Sequence, residues 1–180
     1  EAVETMTELI EYYKGIFTIL SSCASRQLEE VTFRRTVIPV QELLDAAGKY
    51  FKKLMKNRSE RIELEIEPME AKVIGDVNQL RFLLENLIDE ALTVREDGVI
   101  RLQARKDNEY IRFLFTDTRR EKSVEELNQL FYPNLARMTS GEKGELRGTE
   151  YLVCKQIIRD HDEFAGRRGC RINAEPAEGG

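Results

Sequence analysis

Hydrophobic positions divide the sequence into two regimes. From residue 3 to about residue 31, Val3, Met6, Ile10, Tyr13, Phe17, Leu20 and Ala24 recur at alternating spacings of three and four, a heptad seam. Leu9, Ile16 and Cys23 add a second stripe beside it, seven apart. The combined face is wider than a two-stranded coiled coil requires and closer to what a helical bundle buries. The pattern predicts one long helix that docks or dimerises; the competing reading folds this face onto the chain's own globular part. An exposed stripe of that length is rare on a monomer, which favours a homodimer through this helix.

From Thr36 onward the pattern becomes one of short strands alternating with helices. Val37, Ile38 and Val40 around Pro39 predict an edge strand, because proline cannot donate to a ladder. Residues 41–57 carry Leu43, Leu44, Ala47, Tyr50, Phe51, Leu54 and Met55 at helical spacing. Arg61 to Glu67 alternates, with Ile62, Leu64 and Ile66 on one side and charges on the other, a half-buried strand. Val73-Ile74 is a short strand; Gly75 turns the chain and Asp76 caps a helix running to about Thr93. Val99 to Arg105 and Tyr110 to Asp117 are alternating strands joined by a turn at Lys106-Asp107-Asn108-Glu109. A polar stretch follows, with a short helix at Ser123–Leu130 and a mobile segment at Met138–Gly144. A helix is expected from Thr149 to about Asp160, and a final strand from Cys170 to Glu175. The sum is an α+β two-layer sandwich, helices on one face of a mixed, mainly antiparallel sheet, preceded by a long helix. The expected boundary lies near residue 33, with a docking helix at 1–33 and the sandwich at 34–180.

Composition narrows the function classes. The 180 residues are 41% hydrophobic, enough to bury a core, and the net charge of -5 argues against a nucleic-acid binder. No apolar run reaches the ~18 residues a membrane span needs, so no direct membrane contact is expected, although a parent protein could be anchored upstream. Cys23, Cys154 and Cys170 are an odd, widely spaced set that fits reduced thiols in a cytoplasmic setting. The single histidine, His161, excludes chemistry that needs several imidazoles.

Four strings, in order, resemble the ATP-binding domain of sensor histidine kinases, the GHKL superfamily, over roughly Thr36 to the end. Val73-Ile74-Gly75-Asp76 with Asn78-Gln79-Leu80 and Leu84-Glu85-Asn86-Leu87-Ile88-Asp89-Glu90-Ala91 looks like the asparagine box. Phe113 to Asp117 looks like the strand that ends in the adenine-reading aspartate. Leu130-Phe131-Tyr132-Pro133 resembles the phenylalanine box, and Gly148 through Ile158 with His161 resembles the last glycine box and its helix. The resemblance implies ATP with magnesium as cofactors, and Asn86, Glu90, Asp117 and Gly148 as binding positions, Glu90 and Asn86 near the metal. It also implies a two-component signalling role and a signalling partner such as a response regulator. The residues 3–31 would then be the second helix of the family's dimerisation hairpin, its partner helix with the phospho-accepting histidine lying outside this chain.

Residue by residue, the chemistry is mixed. Asp117 shares a strand face with Ile111, Phe113 and Phe115, which puts a carboxylate at the rim of an apolar layer, where it can accept a hydrogen bond from an adenine amine. It can equally start the turn that follows. Asn86 and Glu90 are four apart on one helix face, yet the family has asparagine at both positions. Glu90 can ligate magnesium or, without it, repel a triphosphate; both side chains can also be simple surface residues. The turn Asp117-Thr118-Arg119-Arg120-Glu121 has no glycine, and Glu150 fills a glycine position beside Gly148 at a helix start that would otherwise cradle phosphate. Arg167, Arg168 and Arg171, in an insert after His161, form either an anion site or a solvated cluster. These departures predict a degenerate module with weak or no ATP binding, acting through protein contacts and inactive as an enzyme alone. The alternatives are a working kinase domain that phosphorylates a histidine elsewhere, and an unrelated interaction domain with the same sandwich.

Overall fold

The computed structural model describes residues 33–119, 121–131, 139–140, 146–147 and 150–176. The expected helix at 3–31 and Gly148 lie outside them. In chain order the elements are β1 (Thr36–Pro39), α1 (Val40–Met55), β2 (Ile62–Ile66), β3 (Lys72–Gly75), α2 (Val77–Ala91), β4 (Gly98–Asp107), β5 (Tyr110–Asp117), α3 (Val124–Asn128), β6 (Thr139–Ser140), β7 (Leu146–Arg147) and α4 (Glu150–Phe164). Two compact units divide the chain. One comprises Glu1–Phe33 and Tyr132–Thr149, where β6 and β7 form a short antiparallel pair. The other, Arg34–Phe131 with Glu150–Gly180, holds everything that follows.

Its sheet is mixed. β2 runs parallel to β4, and β4 pairs antiparallel with β5 in the order β2-β4-β5, while β1 and β3 form a separate antiparallel pair. Alternation decides which face is buried. Along β4, Ile100, Leu102 and Ala104 are buried, and Arg101 and Arg105 on the alternate face are exposed. On that outer face Arg101 meets Glu65, its register partner on β2, at 2.6 Å, and Gln103 donates to Glu67. The inner face packs under the helices. Leu43, Leu44 and Ala47 of α1, Leu84 and Ile88 of α2, and Cys154 and Ile157 of α4 join Ile100 and Leu102 in one core. The apolar stripes of three helices therefore meet one sheet face, the α+β arrangement that the pattern of the sequence predicts.

Two local details differ from expectation. The β4–β5 turn is tighter than four residues: Asp107 pairs with Tyr110, leaving only Asn108 and Glu109, with Asn108 in the left-handed region at φ 54°. The strand expected at Cys170–Glu175 does not form; those residues are irregular. The preceding backbone bends at Gly166 and Gly169, with φ of 97° and 114°. The Asp162 carboxylate then accepts hydrogen bonds from the amides of Gly169 (2.6 Å) and Cys170 (2.9 Å), and Tyr110 donates to the Arg168 carbonyl (2.5 Å). Amides at the start of the segment are thus satisfied by side chains rather than by a ladder. The alternation survives without the pairing, since Ile172 still packs on the core between exposed Arg171 and Asn173.

The N-terminal end of α2 is fixed by buried polar groups. Asp76 caps the helix, its carboxylate accepting from the amides of Asn78 and Gln79 at 3.0 and 3.1 Å and also from the Arg34 amide at 2.8 Å. The Asp76 amide donates in turn to His161 Nε2 (3.1 Å), and His161 Nδ1 lies 2.8 Å from the Ile157 carbonyl oxygen. An acceptor at Nε2 requires the proton on Nδ1, so the buried imidazole is neutral. Gly75 makes room for it: a Cβ there would sit 2.7 Å from the ring. His161 is therefore a structural tie between α4 and the start of α2.

Burial lowers the His161 pKa from its ordinary value, outweighing the opposing hydrogen bond to Ile157 and the nearby Asp76 and Asp160 carboxylates. The unfolded chain consequently binds this proton more readily than the native one. Stability is fully present above the unfolded value of about 6.5 and is lost as pH falls through the lower native pKa. Urea unfolding of the wild type should weaken between pH 7 and 5.5, and His161→Gln should flatten that difference. An equal pH dependence in both proteins would contradict the assignment.

Candidate functional site

Of the residues singled out from the sequence, Asn86 and Glu90 lie on α2 and Asp117 at the end of β5. Asn86 and Glu90 lie one turn apart on α2, as their spacing predicts. Asn86 is only 8% exposed, and its Nδ2 donates to the Phe82 carbonyl of its own helix at 2.6 Å. Glu90 is half-buried, and its carbonyl accepts from the Thr93 amide and hydroxyl at 3.1 and 2.7 Å, closing the last turn. Asp117 ends β5 opposite Ile100, behind Ile111, Phe113 and Phe115, which all pack against the core. The carboxylate does stand at the edge of an apolar layer.

That carboxylate is engaged from within the chain. Arg119, two residues on, folds back with Nε 2.8 Å from Asp117 Oδ1 and Nη2 2.7 Å from Oδ2, a bidentate pair. Its amide also donates to Oδ1 at 3.1 Å. The rest of the guanidinium faces carbonyls: Nη2 donates to Ala91 at 2.6 Å, and Nη1 to Val94 and Glu96, both at 3.3 Å. All five N–H groups an arginine possesses are thereby used. Its side chain is 1% exposed against 18% for Asp117. Ala91 is the last residue of α2, so the cation sits where carbonyls lack intrahelical partners and the dipole is negative. Gly98, at φ 149°, completes the housing: a Cβ there would come within 2.6 Å of Arg119 Cγ.

Arg119 was legible in the sequence only as a missing glycine. The signal that points to its role is an opposite charge two residues after a strand-ending carboxylate, but only the fold brings Ala91, Val94 and Glu96 to the same guanidinium. On the metal side, Glu90 is a hard oxygen donor suited to magnesium. The Asn86 amide nitrogen is committed to Phe82, and among the described residues no three His, Cys, Asp or Glu side chains gather as a metal cage. The Nδ2 bond leaves the Asn86 side-chain oxygen available, so Asn86 and Glu90 would hold magnesium together with the phosphates of a bound nucleotide, while Asp117 already carries Arg119. α4 begins at Glu150, whose side chain lies outside the described set.

Arg167 pairs with Glu109 at 2.7 Å and Arg168 with Asp162 at 3.5 Å, the four side chains mostly solvent-facing, and such pairs contribute about 0–1 kcal/mol. Backbone hydrogen bonds from Gly169 and Cys170, first among its neighbours, hold the Asp162 pKa below its ordinary value. Cys154 is buried in the core, and burial pushes the half-buried Cys170 thiol up, away from reactivity. Among the described residues no helix is long and apolar enough to cross a membrane.

The chain belongs to the family of histidine kinase-, DNA gyrase B- and HSP90-like ATPases, whose model matches residues 75–180, more than half of its length. Membership implies a nucleotide-binding fold, with magnesium the typical companion. Three solved structures show the same fold. The catalytic domain of the histidine kinase ThkA, in a nucleotide-free form, is 20% identical with a TM-score of 0.56, covering 71% of this chain and 81% of that one. The Acinetobacter baumannii histidine kinase AdeS is 16% identical with a TM-score of 0.53, covering 87% and 68%. ThkA in complex with the response regulator TrrA is 19% identical with a TM-score of 0.56, covering 87% of this chain and 45% of that one. No curated protein matches the sequence.

The Asp117–Arg119 pair should carry measurable stability. Removing one partner of a buried ion pair strands the other, at a cost of about 3–5 kcal/mol. Asp117→Ala should therefore lower the urea unfolding free energy by roughly that amount. A loss under about 1 kcal/mol, the scale of an exposed pair, would show that the clamp is not formed in solution.

Proposed function

We propose that this domain is a degenerate histidine kinase-like module of a two-component signalling protein, with weak or no ATP binding, that acts through protein contacts. The observation that carries the reading is the state of Asp117: the carboxylate that would accept the adenine amine already holds a bidentate arginine of the same chain. Glu90 supports it, because a second carboxylate in place of a neutral amide repels a triphosphate unless a cation intervenes. Phosphoryl transfer depends almost wholly on positioning and charge stabilisation, so losses in both the base and the phosphate surroundings are costly.

Signalling by contact requires a surface and a second protein. ThkA, a structural neighbour, is seen bound to a response regulator. A response regulator is accordingly the partner class proposed here, and the heptad stripe at 3–31 is proposed to pair two copies of the chain. The second reading is a working ATP-binding kinase domain, favoured by family membership together with the retained Asp117 and Asn86.

Calorimetry of the wild-type protein with ATP and magnesium separates the two. No heat of tight binding is expected, and ATP should leave the melting temperature unchanged. A ligand present at a hundred times its dissociation constant adds about 2.7 kcal/mol to stability. A micromolar or better dissociation constant would replace the degenerate reading with the kinase reading. For assembly, light scattering should report a dimer that Phe17→Glu converts to a monomer; a monomer in both would remove the proposed role of the stripe.

A further inference from the structure

Resting on the reading of Asp117 as the base-side acceptor, we infer that Arg119 is an internal ligand: its guanidinium stands in for the exocyclic amine of an adenine and by itself closes the base half of the site. Two independent observations carry this. The first is occupancy. Oδ1 of Asp117 receives both the Arg119 amide and Nε, and Oδ2 receives Nη2, so three of the carboxylate's roughly four acceptor positions are occupied. The charge that would strengthen a bond to an incoming amine is already matched by a cation. The second is accommodation. The arginine stem lies against Gly98, where any Cβ would clash, and the remaining donors cap the Ala91, Val94 and Glu96 carbonyls. The backbone is built around this side chain, which is not an adventitious surface contact.

Closure by one side chain predicts opening by one substitution. Arg119→Gly removes the stem and the charge, freeing Asp117 Oδ2 and leaving Oδ1 with only the residue-119 backbone amide. The gain belongs to the base: the phosphate side, with Glu90 on α2, is unchanged by this substitution. Adenosine should therefore bind Arg119→Gly as well as ATP with magnesium does, and guanosine, which offers a carbonyl where adenine has its amine, should not.

The test is a set of titrations followed by calorimetry and amide NMR, using adenosine, guanosine and ATP with magnesium. Against wild type, Arg119→Gly should gain at least tenfold in adenosine affinity, and adding Asp117→Asn to it should abolish most of the gain. A folded Arg119→Gly that binds adenosine no better than wild type overturns the inference while leaving the degenerate reading standing. A gain confined to ATP with magnesium also overturns it, since that would place the effect at the phosphates. Tight binding of ATP by the wild type overturns both. Because three carbonyls lose their donor, Arg119→Gly can lose its fold; Arg119→Met, which keeps a buried stem but has no donor for Asp117, then takes its place under the same criteria. The wild type supplies a check that needs no variant: the Arg119 Nε–H should exchange slowly with solvent and remain unshifted by millimolar adenosine. Rapid exchange, or displacement by adenosine, overturns the closure.

Discussion

A buried guanidinium at the C-terminal end of α2 sets the geometry of everything near the candidate site. Burying an arginine is unfavourable unless its charge is paired and each N–H finds an acceptor. Here one carboxylate and three carbonyls meet that demand, with the side chain 1% exposed. The requirement works in both directions. Satisfying Arg119 fixes the last carbonyl of α2, the loop from Val94 to Glu96, and the end of β5 relative to one another. It also forces glycine at position 98, because the arginine stem lies where a side chain would start.

The opposite end of α2 is held by a different device with the same logic. Asp76 satisfies amides that the first turn leaves without partners, and the Asp76 amide is itself satisfied by His161 from α4. Between these polar ends, Leu84 and Ile88 pack against the sheet residues Ile100 and Leu102. α2 is therefore a helix with both ends pinned by buried polar side chains and its middle held by apolar contact. Its two pinned ends fix where Asn86 and Glu90 stand.

Most of the fold was legible because period and punctuation agree. The alternation in β2, β4 and β5, the stripes of α1 and α4, and the Gly75-Asp76 start of α2 each combine a burial pattern with a local stop or cap. The strand expected at 170–175 failed for a reason the pattern does not carry: alternation records which side chains are buried, not whether a neighbouring strand is free to pair. Asp162 and Tyr110 hold that segment instead, from 8 and 58 residues away in sequence. Near the candidate site, the sequence places Asp117 at the end of a strand and Asn86 on a helix, where they are found. The Arg119 clamp depends on carbonyls from another element and appears in the sequence only as the absence of a glycine.

The central claim is an energetic coupling between Asp117 and Arg119, which a double-mutant cycle measures directly. Urea unfolding of the wild type, Asp117→Ala, Arg119→Ala and the double variant gives the interaction term without reference to any ligand. For a buried, bidentate pair the two single losses should exceed the double loss by at least about 1.5 kcal/mol, well inside the 0.5–3 kcal/mol seen for coupled neighbours. Single losses that add to within about 0.5 kcal/mol, as for independent sites, would contradict the account.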